Sequence, residues 1–403
     1  MRIALFGDIC PQPNATIDPA LQEVDLVLGN LESPVADANA PSAKTVGPSL
    51  RAESGNFQSF AAHFDTLILT LANNHTMDFG PQGLESTLAA AAANSVRTVG
   101  AHKNLAAAKE PLIVDTHGIR IGFLGRCETQ FGQADQNRSG VAILDATIYE
   151  TVARLKADTD FVFVSVHGAS EFCPWPSPQW QDTLRSLVDA GADVVHGHHA
   201  HIPQGFENYN DGWIFYSLGN FLVNPTDWSH LPNGLWSTCP IITLTKQTLE
   251  VDLQTSVICH GDNNTVIRPS SQDEQRLHFA YLERHIKPLR NREFLEGLWQ
   301  EFSLRITSSH YGPWIGLPLA PPKARVRLKT LLKQIKRGVL SQPRSWISRK
   351  QRNAYLNLVY HLFACESHRS AVVECLALLT NEKPDKRNKE TREWVDELIL
   401  PME

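Results

Sequence analysis

From residue 1 to about residue 265, short apolar runs alternate with segments that have helical spacing. Predicted strands cover residues 3–6, 26–28, 66–71, 120–124, 160–166, 193–196 and 213–216. Predicted helices cover residues 82–93, 146–156 and 178–190. Buried strands that alternate with helices are typical of a largely buried β-sheet covered on both faces. The alternating pattern of residues 241–253 predicts a further, antiparallel strand.

The rest of the chain has helical spacing without strand signals. Predicted helices cover residues 272–286, 290–305, 323–340, 351–365, 367–379 and 389–399. Residues 270–403 contain 23 of the chain's 37 Lys and Arg residues and 15 of its 43 Asp and Glu residues. Residues 1–269 therefore contain 14 Lys and Arg and 28 Asp and Glu. The net charges of the two parts are therefore +8 and -14. We expect an α/β domain over residues 1–268 and a basic helical domain over residues 269–403.

Composition excludes several classes of protein. With 42% hydrophobic and 20% charged residues among 403, the chain resembles ordinary globular proteins. No apolar run approaches the roughly 18 residues of a membrane span. The apolar stretch after Arg2 is too short for a secretory signal, so we expect a cytoplasmic protein. The seven cysteines form no Cys-x-x-Cys pair, which indicates free thiols rather than a disulfide framework or a zinc ribbon.

Polar side chains follow the predicted strands at the edge where α/β sheets bind ligands. They are Asp8, Asn30, Glu32, Asn73, Asn74, His75, Asp78, His167, Glu171, the histidines of residues 197–201, and Asn220. Each alone has a structural explanation, such as a helix cap or a turn. Burying all of these polar groups without partners would cost about 1–3 kcal/mol for each group, and a shared divalent cation would satisfy them together. Oxygen and nitrogen ligands without thiolate favour Mn, Zn or Fe over Ca.

The same positions resemble a known family. Residues 73–80 are similar to the Gly-Asn-His-Glu-Phe-Asp-Tyr-Gly block of nucleotidase-type metallophosphoesterases, and residues 1 to about 260 resemble the bacterial capsule-synthesis CapA family of the poly-γ-glutamate biosynthesis type. The motifs that carry the resemblance are Gly7-Asp8, Asn30-Leu31-Glu32, residues 72–75 with Asp78 and Gly80, His167 with Glu171, residues 197–201 with 204–207, and residues 216–221. The resemblance implies a metallophosphoesterase-like layered α/β sandwich, followed here by a C-terminal helical appendage that shares none of these motifs.

The resemblance also implies roles for individual residues. The implied metal ligands are Asp8, Glu32, Asn74, His167, His199 and His201. Among them Glu32 corresponds to the carboxylate that bridges two cations, and one or two divalent cations per chain are expected. His75 corresponds to the catalytic imidazole beside the leaving group, and Asp78 and Glu171 complete the implied catalytic set. His198 precedes the ligand pair and is not expected to bind a cation.

Three positions depart from the family's pattern. Cys10 stands where metallophosphoesterases have a histidine ligand, so the first cation is expected to have one ligand fewer. Gly168 replaces a tryptophan, which would reshape the pocket wall. Ala200 replaces a proline between the last two histidines.

The C-terminal part contains a basic amphipathic segment, residues 323–340, within a stretch that has no Asp or Glu between Phe302 and Cys365. One explanation is a solvated helix that docks on the acidic first domain of its own chain. A second is peripheral contact with an anionic membrane surface. A third is capture of a polyanionic substrate. Nucleic acid is not expected as a partner, because the aromatic residues are not interleaved as stacking platforms.

The sequence leaves three functions open. The first is a metal-dependent phosphoesterase-type hydrolase that acts on an anionic small molecule or polymer in capsule, poly-γ-glutamate or surface-polysaccharide synthesis. The second is a component of polymer synthesis that does not hydrolyse phosphate esters. The third is a degenerate module that binds metal or anions, which the departure at Cys10 suggests.

Overall fold

The computed structural model describes residues 1–261, 264–317, 319 and 349–398. The described strands are β1 Arg2–Ile9, β2 Thr16–Ile17, β3 Leu26–Leu31, β4 Leu67–Thr70, β5 Arg97–Val99, β6 Ala101–His102, β7 Leu112–Thr116, β8 Ile119–Cys127, β9 Gly140–Val141, β10 Phe161–His167, β11 Val194–His198, β12 Phe206–Tyr209, β13 Gly212–Phe215, β14 Asn220–Leu222, β15 Trp236–Leu244, β16 Leu249–His260 and β17 Thr265–Pro269. The described helices are α1 Ser54–Ala61, α2 Gly80–Ala93, α3 Leu105–Lys109, α4 Thr147–Asp158, α5 Pro178–Asp189, α6 Pro225–Trp228, α7 Gln272–Ile286, α8 Arg292–Ile306, α9 Gly312–Ile315, α10 Arg349–Ala364, α11 Glu366–Leu379 and α12 Lys389–Asp396.

The strands form two larger sheets rather than the single covered sheet that the sequence predicts. One has the order β2-β17-β16-β15-β1-β3-β4-β5, with β14 paired to β1, and the other has the order β12-β13-β11-β10-β8-β7. One apolar cluster contains side chains from both sheets, among them Leu5 and Leu28 from the first and Phe123 and Phe163 from the second. The two sheets therefore bury their facing surfaces against each other.

Helices cover the outer face of each sheet. Phe57 of α1 and Leu84 of α2 pack with Phe6 on the first sheet. Val152 of α4 and Leu184 of α5 pack in the same way on the second sheet. Each side chain of this size stabilises the fold by about 1.5–3 kcal/mol when it is fully buried. The predicted layered α/β sandwich is confirmed, and so are the helices near its C-terminal end.

The chain divides into two compact units, Met1–Lys44 with Pro48–Asn291, and Thr45–Gly47 with Arg292–Glu403. The first unit continues past residue 268, the boundary that the charge pattern predicts, because α7 packs on the first sheet. The ring of His278 stacks on Trp236 of β15 with centroids 4.0 Å apart, and Leu282 is buried beside both β15 and β16.

From Arg292 onward, the described residues of the second unit are mainly helical. Leu298 and Phe302 of α8 are buried together with Val372 of α11 and Val395 of α12. None of the helices in the described residues is long and apolar enough to cross a bilayer. The segment 323–340 lies outside the described residues, so its predicted helix and its membrane contact stay predictions.

Candidate metal centre

The implied ligands lie at the carboxyl ends of neighbouring strands. Asp8 is near the end of β1, Glu32 directly follows β3, and His167 ends β10. Because β1, β3 and β4 are adjacent in one sheet and β10 and β11 in the other, these ends meet between the sheets. The side chains of the set are all buried: Asp8, Glu32, Asn74, His167, His199 and His201.

Asp8 is held from several directions. Its Oδ1 accepts a hydrogen bond from Asn30 Nδ2 at 2.8 Å and lies 3.2 Å from Nδ1 of His198. Its Oδ2 accepts from the backbone N–H of His199 at 3.2 Å and lies 3.4 Å from Nδ1 of His201. Burial alone would raise the pKa of this carboxyl, but the bonds from His198 and His201 hold its pKa well below the usual value. The carboxylate is therefore fixed and negatively charged.

Two glycines bring Asp8 to this position. The backbone N–H of Asp8 donates to the carbonyl of Gly219 at 2.9 Å. Gly219 has a φ of +80°, and a Cβ on Gly7 would collide with the same carbonyl. Glycine meets both requirements without strain. The close approach places Asp8 in register with Asn220 on the parallel neighbour β14.

Glu32 lies between two histidines, His167 and His201. Its Oε1 is 3.5 Å from Nε2 of His167, and its Oε2 is 3.6 Å from Nδ1 of His201. Burial raises its pKa well above the usual value, although the charge of His201 opposes the shift. The two carboxylate oxygens thus face different partners, as a bridging ligand requires.

Ligand atoms converge in three overlapping groups, each within 4.8 Å. The groups are Asp8, Glu32 and His201; Glu32, His167 and His199; and Glu171, His199 and His201. Asn74 joins the second group, because its Oδ1 lies 2.9 Å from Nε2 of His167. Glu32 is common to the first two groups, which is the arrangement that two cations sharing a carboxylate would need.

The residues fit a divalent cation. Oε1 of Glu32 is buried and accepts no hydrogen bond within the part of the chain that the structure describes. Burial alone would lower the pKa of His201, but the charges of Glu32 and Asp8 raise it to about 10, so in the metal-free chain a proton on this ring balances the carboxylates, and a bound cation would have to replace that proton. Burial also lowers the pKa of His167 well below its usual value, which leaves a neutral imidazole able to bind a cation. The carboxylate, carboxamide and imidazole donors suit Mn, Zn or Fe.

The backbone around the centre is strained. His199 and His201 have φ values of +85° and +59°, and Ala169 and Phe172 have +88° and +61°. Such conformations cost non-glycine residues about 1–3 kcal/mol each and concentrate at functional sites. Ala169 also follows the glycine that replaces the family's tryptophan, and the ring of Trp180 packs against Gly168.

A second buried cluster adjoins the ligands. Nδ1 of His75 lies 2.7 Å from Oδ2 of Asp78 and 3.1 Å from Nζ of Lys44, while Lys44 lies 3.3 Å from Oδ1 of Asp78. The backbone N–H of Leu50 also donates to Asp78. Burial lowers the pKa of His75, and the bond with Asp78 opposes that shift. Because Asp78 accepts the proton on Nδ1, Nε2 is the His75 atom that can exchange a proton with a bound molecule.

The structure adds detail at three further positions, Glu171, His198 and Cys10. Glu171, implied as catalytic, is about one third exposed, and its Oε1 lies 3.9 Å from Nε2 of His199, within a group of ligand atoms. His198 belongs to none of the groups found among the described residues, yet it contacts Asp8 and lies 3.2 Å from His196. Sγ of Cys10 lies 3.9 Å from the carbonyl of Arg51, and no described ligand group includes it.

The sequence reasoning assigned no role to several residues that support the site. Asn30 bonds Asp8 and lies 3.2 Å from Nδ1 of His167, and Asn73 donates to Asn30 at 3.1 Å. Trp228 packs on His201 with ring centroids 4.4 Å apart. Lys44 lies in a loop without a motif, so no sequence signal marks it. Asn30 and Asn73 do lie in recognised motifs, next to the assigned ligands.

The model of one protein family, described as bacterial capsule synthesis protein PGA_cap, matches residues 10–225, which is more than half of the chain. The chain belongs to this family. The matched residues include most of the strands whose carboxyl ends meet at the candidate metal centre, with the exception of β1. Asp8, the implied ligand on β1, lies just before the matched region.

Named relatives support the same assignment. The capsule biosynthesis protein CapA of Bacillus anthracis is 31% identical over 219 residues, which cover 52% of this chain and 53% of that protein. The PGA biosynthesis protein CapA of Bacillus subtilis strain 168 is 33% identical over 215 residues, covering 52% and 56%. The chain thus spans about half the length of the curated relatives it matches.

Solved structures show only distant likeness. A 5'-nucleotidase from Candida albicans SC5314 has a TM-score of 0.35 and 11% identity, covering 66% of this chain and 49% of that one. The NAD nucleotidase NadN of Haemophilus influenzae has a TM-score of 0.31 and 12% identity, covering 57% and 48%. Likenesses this distant carry no argument about activity.

Proposed function

We propose that the chain is a metal-dependent hydrolase of the phosphoesterase type, acting in the synthesis of capsule, poly-γ-glutamate or another surface polymer. The observation that carries the proposal is the sharing of Glu32 between two groups of ligand atoms. His75 directly follows Asn74 in the chain and, hydrogen-bonded to Asp78, provides a buried imidazole beside those groups. Family membership supports the biological setting.

The ligand residues divide into two sets in this proposal. Asp8, Glu32 and His201 would hold one cation, and Glu32, Asn74, His167 and His199 would hold the other. Bound divalent cations supply Lewis acidity and neutralise the charge of a phosphoryl group.

The chain's own residues handle the proton and the anion. Asp78 orients His75 through Nδ1, so that Nε2 can give a proton to the leaving oxygen. Lys44, with 6% of its side chain exposed, fixes Asp78 and adds a positive charge that an anionic substrate would meet. An anionic small molecule or polymer is therefore the proposed substrate class.

The test is a panel of phosphate monoesters and diesters assayed with the full chain, stripped of metal and then supplied with Mn²⁺ or Zn²⁺. His75→Ala should reduce turnover by about 10²–10⁴-fold, because a general acid contributes that much. Metal content should stay within about twofold of the wild type. The matched control is His63→Ala, at a half-buried histidine whose Nδ1 lies within hydrogen-bond distance of the backbone carbonyls of Ser59 and Phe60.

Two results would contradict the proposal. One is full activity in His75→Ala, and the other is no metal-dependent hydrolysis by the wild type on any ester of the panel. The second result would favour the alternative of a polymer-synthesis component that binds metal without hydrolysing phosphate esters. The position of Cys10 outside the ligand groups of the described residues, which leaves the Asp8 group with three ligand residues, favours the other alternative, a degenerate module that binds metal or anions.

A further inference from the structure

The first group of ligand atoms is one protein ligand short. Asp8, Glu32 and His201 supply three, and Cys10 faces the carbonyl of Arg51 instead. Four protein ligands are usual when a cation site is closed, and sites with three keep an open position. At Asp8 the neighbours of β1 are β3, which leads directly to Glu32, and β14, so the side of β14 is where a further ligand can approach His201.

Asn220 occupies that place. It is fully buried, and it is paired in register with Asp8 on the parallel strands β1 and β14. Its Nδ2 donates to the carbonyl of Gly234 at 3.0 Å, which fixes the orientation of the carboxamide. Its Oδ1 therefore faces the centre and lies 3.0 Å from Nδ1 of His201.

Three oxygens surround this one nitrogen. Nδ1 of His201 is 3.0 Å from Oδ1 of Asn220, 3.4 Å from Oδ2 of Asp8 and 3.6 Å from Oε2 of Glu32. A ring nitrogen carries at most one proton, so it can satisfy only one of these oxygens well. Ligands bound to one cation at about 2.0–2.2 Å lie about 3.0–3.5 Å from one another, which is close to the spacing observed.

We propose that the carboxamide oxygen of Asn220 is the fourth protein ligand of the first cation, together with Asp8, Glu32 and His201. This inference rests on the metal centre of the proposed function. With three oxygen ligands and one nitrogen ligand, this site has a harder ligand set, in the sense of hard and soft acids and bases, than the second site, which has two imidazoles. The first site should therefore prefer Mn²⁺, whereas the second should accept Zn²⁺ more readily.

The experiment titrates the metal-stripped full chain with Mn²⁺ and compares Asn220→Ala with Asn220→Asp. The wild type should bind two Mn²⁺. Asn220→Ala should weaken one binding event by at least about tenfold and leave the other within about twofold, because only one group contains this residue. Asn220→Asp, which keeps an oxygen at the same place, should retain both. The matched control is Gln181→Ala, which removes another buried carboxamide that donates to a backbone carbonyl, that of Leu289 in the same unit.

A second readout separates a ligand from a residue that only orients His201. Water-proton relaxation counts the water molecules bound directly to Mn²⁺. If Asn220 is a ligand, Asn220→Ala opens a position that water fills, so the relaxivity for each Mn²⁺ at the weakened site should rise. Weakened Mn²⁺ binding without this rise in relaxivity would overturn the ligand assignment. So would an Asn220→Ala variant that binds both Mn²⁺ ions with the affinities of the wild type.

The outcomes also distinguish this inference from the proposed function. Absence of any bound metal in the wild type would remove both. Two bound Mn²⁺, one of them lost selectively in Asn220→Ala, without hydrolysis of any ester would uphold the ligand assignment and contradict the hydrolase. A thermal unfolding midpoint for Asn220→Asp close to that of the wild type would show that the fold survives a change at this position.

Discussion

Glu32 allows a prediction in which metal-free and metal-bound protein respond in opposite directions. In Glu32→Gln the side chain keeps its shape and loses its charge. The carboxylate is 98% buried in the metal-free chain, and its Oε1 accepts no hydrogen bond from the described residues. The substitution should therefore stabilise the metal-free protein, although it removes the ligand that both cations would share.

The size of the metal-free effect follows from the burial of the carboxylate, and the size of the metal-bound effect follows from the stabilisation that metal binding gives to the folded state. A buried polar group without a hydrogen bond costs about 1–3 kcal/mol and a charged group more, and the substitution removes the charge of a carboxylate whose pKa is raised by burial. At roughly 2–4 °C for each kcal/mol in a domain of this size, the melting midpoint of the metal-free variant should rise by about 2–12 °C. Binding to the folded state stabilises by about 2.7 kcal/mol when the free metal is at 100 times its Kd, and Glu32→Gln should lose most of that gain.

The assay is thermal unfolding of both proteins, with chelator and with excess Mn²⁺. Glu128→Gln is the matched control, because Glu128 is equally buried but accepts hydrogen bonds from Gln130 Nε2 at 2.9 Å and from the backbone of Ala169. That control should lower the midpoint in both conditions. A lower metal-free midpoint for Glu32→Gln, or an undiminished Mn²⁺ effect, would refute the reasoning.

Three further predictions concern the frame around the centre. Gly7→Ala should destabilise the metal-free chain by about 1–3 kcal/mol in urea unfolding, because the added methyl meets a backbone carbonyl, whereas Gly55→Ala, where nothing lies near, should not destabilise it. Burial lowers the pKa of His278 from 6.5 to about 4, so the stabilising stack on Trp236 should be complete above pH 6.5 and weaken as the pH falls toward 4. Urea unfolding at pH 7 and pH 5 should show that His278→Gln loses less free energy of unfolding between the two pH values than the wild type does. A chain that ends at Asn291 should unfold cooperatively and bind metal, whereas one that ends at residue 268 should bind a hydrophobic dye, since it lacks α7.

The sequence predicts single strands better than their arrangement. Each of the seven predicted strands overlaps a strand of the structure, because a short apolar run bounded by polar residues has few alternatives. The same runs do not reveal which sheet a strand joins, so the sequence indicates one sheet where the described residues form two larger sheets and a two-stranded one. Residues 241–253 were expected to form one strand, and they span the turn between β15 and β16.

The domain boundary shows a different limit. Charge changes sign near residue 268, but α7 belongs to the first unit because its apolar side chains pack there. Net charge reports the solvent-exposed surface, and packing depends on a few buried positions such as Leu282. For the centre, the motifs identify the residues that converge. The contacts of Lys44, Asn30 and Asn220 depend on three-dimensional proximity, and spacing along the chain does not encode it.

The ligands of the centre are far apart in the order of synthesis. Asp8, Glu32 and Asn74 come from the first sheet, and His167, His199 and His201 come from the second. A ribosome that adds about 5–20 residues per second needs roughly 10–40 s to pass from residue 8 to residue 201. During that interval the nascent chain holds carboxylates without most of the imidazoles that complete the groups. Metal capture should therefore follow translation of the whole first unit, and the cation available to the finished chain should decide which metal the centre holds.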